Sequence, residues 1–215
     1  MAPSRPILHG SNVSPFVRKV RVALAYKGLA YDDVQQNPFG APPEFVAKSP
    51  LSKIPLWEEG ELLLPDSSVI LSYLEHRYPD PPLLPTDPGP RARALWFEEY
   101  ADSKVSTVLA GVFFERVVKP AVFKQETNPA IIEHALEKEL PVVFDYLATC
   151  LGEDEFLVGG AFSIADIAVT SPFVNFGIAG ESVDAERWPQ IADYVERVHA
   201  LPCYAPIVAG DQPRR

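Results

Sequence analysis

Six of the residues from Pro79 to Pro90 are prolines, at positions 79, 81, 82, 85, 88 and 90, and no other stretch constrains the fold as strongly. Proline has no backbone N–H and its ring clashes with the preceding helical turn, so this segment sustains neither a helix nor a central strand. We read residues 79–90 as a linker between a first domain, 1–78, and a second, 91–215. The two sides differ in hydrophobic period. Short apolar runs alternate with helical patterns before the linker, whereas only the helical period follows it. With 215 residues, 47% of them hydrophobic, the chain is long enough for two cores.

In the first domain, Ile7-Leu8 followed by Gly10 reads as a short buried strand. Pro15 to Lys27 reads as a helix, with Ser14 as N-cap, Pro15 in the first position and Gly28 as terminator. Val17, Val20 and Leu24 then share one face. A strand near Tyr31 to Gln35, a short helix near Glu44 to Lys48, and strands at Ile54 to Trp57 and Leu62 to Leu64 follow, with Gly60 in the last turn. A helix from Ser67 to Tyr78 completes the order βαβαββα. Beyond the linker, Ala94, Leu95, Phe97 and Ala101 begin a helix that reaches Val118, and Ile131, Ala135, Leu136, Leu140, Val143, Phe144 and Leu147 mark another. Ser163 and Asp166 fit a capping box, with Phe162 and Ile167 at the staple positions, so Asp166 is given a folding role and no catalytic one.

A formal net charge of −10, with basic residues scattered apart from Arg18, Lys19 and Arg21, argues against nucleic-acid or anionic-membrane partners. No run approaches the roughly 18 apolar residues of a membrane span, and the first ten residues lack a signal-peptide core, which points to the cytoplasm. The two cysteines, Cys150 and Cys203, have neither metal-ligand spacing nor a C-x-x-C arrangement, so no metal site is expected and both are read as buried small hydrophobes.

Two segments suggest a site. Within Ser52 to Trp57, Ile54-Pro55 is a place for a cis bond that turns the Ile54 backbone outward, toward an extended peptide. Asp66 and Ser67 then open a helix whose N-terminal N–H groups suit a carboxylate, while Asp66 suits an amine. Together they read as a small peptide-binding cleft.

Four markers occur in order: Ser14-Pro15-Phe16 with a basic helix start through Arg21; Ile54-Pro55; Asp66-Ser67 with Val69-Ile70 and Tyr73-Leu74; and Phe162 to Ile167. In this combination the chain resembles the cytosolic glutathione transferases, of the serine type found in the bacterial, tau and zeta-like kinds. The resemblance implies a thioredoxin-like glutathione-binding domain over 1–78, and an all-α domain over 91–215 that lines an electrophile pocket. It also implies a homodimer and glutathione as co-substrate without a further cofactor. The implied glutathione site comprises Lys53, Ile54, Pro55, Asp66 and Ser67, with Asp66 standing where Glu is more usual in the family. Phe16, Ser106, Ala110 and Phe113 are the implied contacts for a small apolar electrophile. Asp102 lies where some members reach across a dimer to the glutathione amine, but on its helix it is read first as a solvated surface carboxylate.

The implied chemistry is thiolate activation. A thiol with a pKa of about 8.5 is roughly 3% ionised at neutral pH, and lowering it by about two units takes roughly 2.7 kcal/mol. Ser14 is the implied donor to the sulfur, with Ser11 and Asn12 as alternatives. Ser11-x-x-Ser14 lies where thioredoxins carry cysteines, so any redox chemistry borrows the sulfur of glutathione. Conjugation is the leading expectation, in the manner of a detoxifying transferase. A glutathione-dependent disulfide reductase or peroxidase and a non-catalytic binding or scaffold protein are the alternatives.

Overall fold

The computed structural model describes residues 5–211. The outermost parts of the two expected domains, 1–4 and 212–215, lie outside the described residues, as do the first residues of the stretch read for a targeting core. The chain forms two compact units. One runs to Leu83 and takes in Pro202–Asp211, and the other spans Leu84–Leu201.

The first unit contains β1 (Ile7–Gly10), α1 (Pro15–Tyr26), β2 (Asp32–Gln35), α2 (Pro43–Lys48), β3 (Leu56–Glu59), β4 (Leu62–Leu64) and α3 (Ser67–Arg77). Its four strands are ordered β2-β1-β3-β4. β1 and β2 are parallel, because α1 carries the chain back between them, while β1/β3 and β3/β4 are antiparallel. Gly60, at φ +63°, makes the β3–β4 turn. This is the thioredoxin-like βαβαββα arrangement the sequence suggests. Leu8 and Trp57 from the sheet join Val17, Val20 and Leu24 of α1 and Ile70 and Leu74 of α3 in one core. Each such side chain contributes roughly 1.5–3 kcal/mol through burial. The expected strand from Ile54 begins instead at Leu56, since Pro55 has no N–H to offer a ladder.

The second unit is helical. α4 (Pro88–Tyr100), α5 (Ser106–Phe113) and α6 (Lys119–Phe123) join through π-helical turns at Ala101–Val105 and Phe114–Val118 into one helical run. It ends where Lys124 turns left-handed, φ +55°. The linker is therefore shorter than 79–90. Pro88 and Pro90 sit in the first turn of α4, where N–H groups have no intrahelical partner and proline is tolerated. α7 (Pro129–His134), a π-helical turn (Ala135–Glu139) and α8 (Leu140–Leu151) follow, then α9 (Ile164–Ile178) and α10 (Pro189–His199). α11 (Ala205–Asp211) returns to the first unit, whereas the sequence pattern assigns everything after residue 91 to the second domain.

α9 is buried from Ile164 to Phe176, which explains why it carries no amphipathic signal. The expected capping box is present. Asp166, fully buried, accepts from the N–H groups of Leu157 (2.9 Å) and Ser163 (2.8 Å), from the Ser163 hydroxyl and from the Tyr194 hydroxyl (2.9 Å). Burial pushes its carboxyl up, against the pull of those donors. Both cysteines are free, and they are half-buried rather than buried. Among the described residues no helix is long and apolar enough to cross a membrane.

Candidate functional site

The strand registers bring the sequence-predicted residues of the first unit to one end of its sheet. His9 of β1 pairs with Leu56 of β3, so the C-terminal end of β1 lies beside the N-terminal end of β3. Trp57 pairs with Leu64, which brings the end of β4 to the same edge, and Gly10 pairs with Gln35 of β2. Hence the loop 11–14, the Ile54-Pro55 pair and the Asp66-Ser67 step all emerge together.

Ser14 is the N-cap of α1. Its extended backbone (φ −84°, ψ 123°) turns the chain into the helix, and its Oγ accepts from the Val17 N–H at 3.3 Å. Capping uses only a lone pair of the hydroxyl, so the O–H remains a donor. Asn12 Oδ1 accepts from Gln35 Nε2 at 2.8 Å, which commits the oxygen of that amide and leaves its NH2. Ser11 accepts at its carbonyl from the Ser14 N–H at 3.0 Å. All three side chains are half-buried.

Ile54-Pro55 is cis. Ile54 is outside the β3 ladder, and no backbone hydrogen bond reaches it among the described residues. Asp66 caps α3, its Oδ1 accepting from the N–H groups of Ser68 and Val69, each at 3.0 Å. The shorter Asp thus fits a cap that also orients the following Ser67. That residue is buried, and its N–H and hydroxyl have no protein partner among the described residues. Two helix N-termini, of α1 and α3, therefore open at one sheet end, where their dipoles favour negative charge.

Lys53 is exposed. Its carbonyl accepts from the Ser49 hydroxyl at 2.8 Å, and its ammonium has no partner among the described residues. Lys48, by contrast, donates to Glu58 Oε2 at 2.7 Å, and the same oxygen meets His9 Nε2 at 2.9 Å. The hydrogen bond from Lys48 holds the Glu58 carboxyl below the ordinary range, with His9 adding to it against burial. Neither contact has a local sequence signal. Phe16 is half-buried on α1, with Lys19 Nζ 5.9 Å above its ring. In the helical unit Ser106 and Phe113 are buried, Ala110 is half-buried, and Asp102 is half-buried in the first π-helical turn.

The local basic group reads differently in three dimensions. Arg18, Lys19 and Arg21 are all buried. Arg18 Nε donates to Asp211 Oδ2 at 2.7 Å, and Arg21 donates to both oxygens of Asp33 at 2.9 and 2.7 Å.

Comparison with known proteins places the chain in a family. Residues 8–82 match the Glutathione S-transferase, N-terminal domain, and residues 112–202 match the Glutathione S-transferase, C-terminal domain. The chain is 24% identical to a glutathione S-transferase of Triticum aestivum, over 99% of this chain and 97% of the relative. It is 27% identical to FtsZ-localized protein A of Caulobacter vibrioides, over 96% of this chain and 92% of the relative. A glutathione S-transferase of Methylobacterium radiotolerans, solved in complex with glutathione sulfonate, superposes with a TM-score of 0.80 at 28% identity, covering 99% of this chain and 97% of that one. The chain belongs to the glutathione S-transferase family.

Proposed function

We propose that the protein binds glutathione at this end of the sheet and activates its thiolate for attack on a largely apolar electrophile, as a cytoplasmic homodimer. The observation that carries the reading is the convergence of the Ser14 hydroxyl, the unpaired Ile54 backbone and the open Ser67 N-terminus on one edge. The glutathione sulfonate bound to a relative supports the class of ligand.

Each group has a role that its chemistry fits. Ile54 pairs through its N–H and C=O with the cysteinyl backbone, in the manner of an added strand. The Ser67 N–H and hydroxyl donate to the γ-glutamyl carboxylate, and the Asp66 oxygen not used in capping meets the amine. Lys53 neutralises the glycyl carboxylate. Ser14 donates to the sulfur. A hydrogen bond to an anion contributes about 1.5–3 kcal/mol. The α1 dipole adds about 0.3–1 kcal/mol, and the sum covers the roughly 2.7 kcal/mol that a two-unit shift requires.

Ultraviolet titration of bound glutathione tests this in the wild type and in Ser14→Ala, Ser11→Ala and Asn12→Ala. A thiolate pKa about two units below the free value in the wild type, restored toward it only by Ser14→Ala, is the expected result. Loss in another variant alone reassigns the donor. An unshifted pKa in the wild type overturns the transferase reading. It then favours a binding or scaffold role, which the 27% identity to FtsZ-localized protein A makes the second reading.

A further inference from the structure

We infer that Asp211, acting through Arg18, is a positioning residue for the loop that carries Ser14. The inference rests on the glutathione site proposed above and adds to it a residue from the far end of the chain.

Asp211 ends α11, and its side chain is 2% exposed, against 0% for Arg18. Arg18 lies one turn into α1, and its guanidinium reaches back past the helix start. There its NH2 group donates to the Asn12 carbonyl at 3.2 Å, while Nε is held by Asp211 at 2.7 Å. A guanidinium is a rigid planar fork, so a carboxylate fixed on one edge sets the direction of the other. Asp211 therefore aims the bond that holds the loop. The loop is also pinned from the end of β2, where Gln35 donates to Asn12 Oδ1 and the N–H of the next residue, Gln36, donates to the Gly10 carbonyl at 2.9 Å. Arg21 ties the same cluster to the sheet, 3.7 Å from Asp211 and paired with Asp33. Ser14, whose N–H bonds Ser11 and whose carbonyl accepts from the Arg18 N–H at 3.0 Å, hangs between these two anchors.

The test combines amide hydrogen exchange in the free protein with the thiolate titration, in Asp211→Asn and Asp211→Glu. Loop amides exchange through local opening and core amides through global unfolding, so the two are separable. In Asp211→Asn, exchange at Val13 and Ser14 is expected to rise about tenfold more than at Val20 and Leu24. The bound-thiolate pKa is expected to move back toward the free value. Asp211→Glu keeps the charge on a longer arm and gives a smaller effect in the same direction; it serves alone if Asp211→Asn does not fold. Exchange that rises equally at loop and core marks a clasp that only stabilises, and overturns the proposal. Selective loosening with an unmoved thiolate pKa overturns it as well. If the wild type itself shows no lowered thiolate pKa, the glutathione reading fails separately. The exchange comparison then decides whether Asp211 orders the loop.

Discussion

Arg18 and Asp211 stand 193 positions apart in the chain and 2.7 Å apart in the fold, with both side chains withdrawn from solvent. Taking two charges out of water costs much of what their attraction returns, so the pair is a modest net stabiliser that is expensive to break. Burial pushes the Asp211 carboxyl up, opposed by Arg18 and then Arg21.

Removing Arg18 leaves the buried Asp211 carboxylate with only Arg21, at 3.7 Å, as a charge partner. Arg18→Met is expected to cost about 3–5 kcal/mol in urea unfolding. Arg18→Met with Asp211→Leu is expected to recover most of that loss. A double variant as unstable as the sum of the singles would show that the pair is not the coupled unit described.

At Gly10 the end of β1 leaves no room for a side chain against Val17 of α1. A methyl group there would stand 2.5 Å from Val17 Cγ2 and 2.7 Å from Cγ1, and Val17 is fully buried. Gly10→Ala is therefore expected to destabilise by about 1–3 kcal/mol through overpacking. Val17→Ala in the same chain removes the obstructing methyls, so the double variant is expected to fall short of additivity by about 0.5–3 kcal/mol. Thermal unfolding of the two singles and the double measures this, and strict additivity would contradict the contact.

Lys27 fastens the start of the linker. Its ammonium donates to Glu75 Oε2 (2.8 Å), the Tyr78 carbonyl (2.7 Å) and the Pro81 carbonyl (2.8 Å), while Glu75 accepts from the Leu83 N–H. Lys27→Met removes the ammonium from the Glu75 carboxylate and the donor from both carbonyls, and is expected to cost about 3–5 kcal/mol. Limited thermolysin digestion under native conditions should then nick the chain at Leu83–Leu84, which are buried in the wild type. Protection equal to the wild type would refute the fastening role.

What was legible in the sequence was local. The Ser14 cap, the box of Ser163 and Asp166 and the Gly60 turn each involve residues three or fewer apart, and periodicity reports the element order directly. The pairing of Ile54-Pro55 with Asp66-Ser67 was also legible, because a hairpin joins them. Arg18 and Arg21 read as a basic group because their partners, Asp33 and Asp211, sit on other elements, and no spacing rule links a helix to a terminus 193 positions away. Lys48 stayed without a role for the same reason, since Glu58 becomes its neighbour only when α2 folds onto the sheet. Pro88 misled through its type. Position in a first turn, and not composition, decides whether proline breaks a helix.

The Lys48–Glu58–His9 cluster carries a prediction with a definite sign. Glu58 has a folded pKa below its unfolded value, chiefly because Lys48 bonds it, so the folded state binds fewer protons through the acid range. The group's contribution to stability is present above the ordinary glutamate pKa of about 4.3, and is lost as pH falls through the lower folded value. The side chain of Lys48 is 40% exposed, so solvent screening limits the contribution to about 1 kcal/mol or less. Urea unfolding of the wild type and Glu58→Gln should therefore differ near neutral pH and converge in acid. Salt should narrow the neutral gap, because it screens the exposed ammonium. A difference that stays constant from neutral to acid would mean that Glu58 acts through packing, not charge.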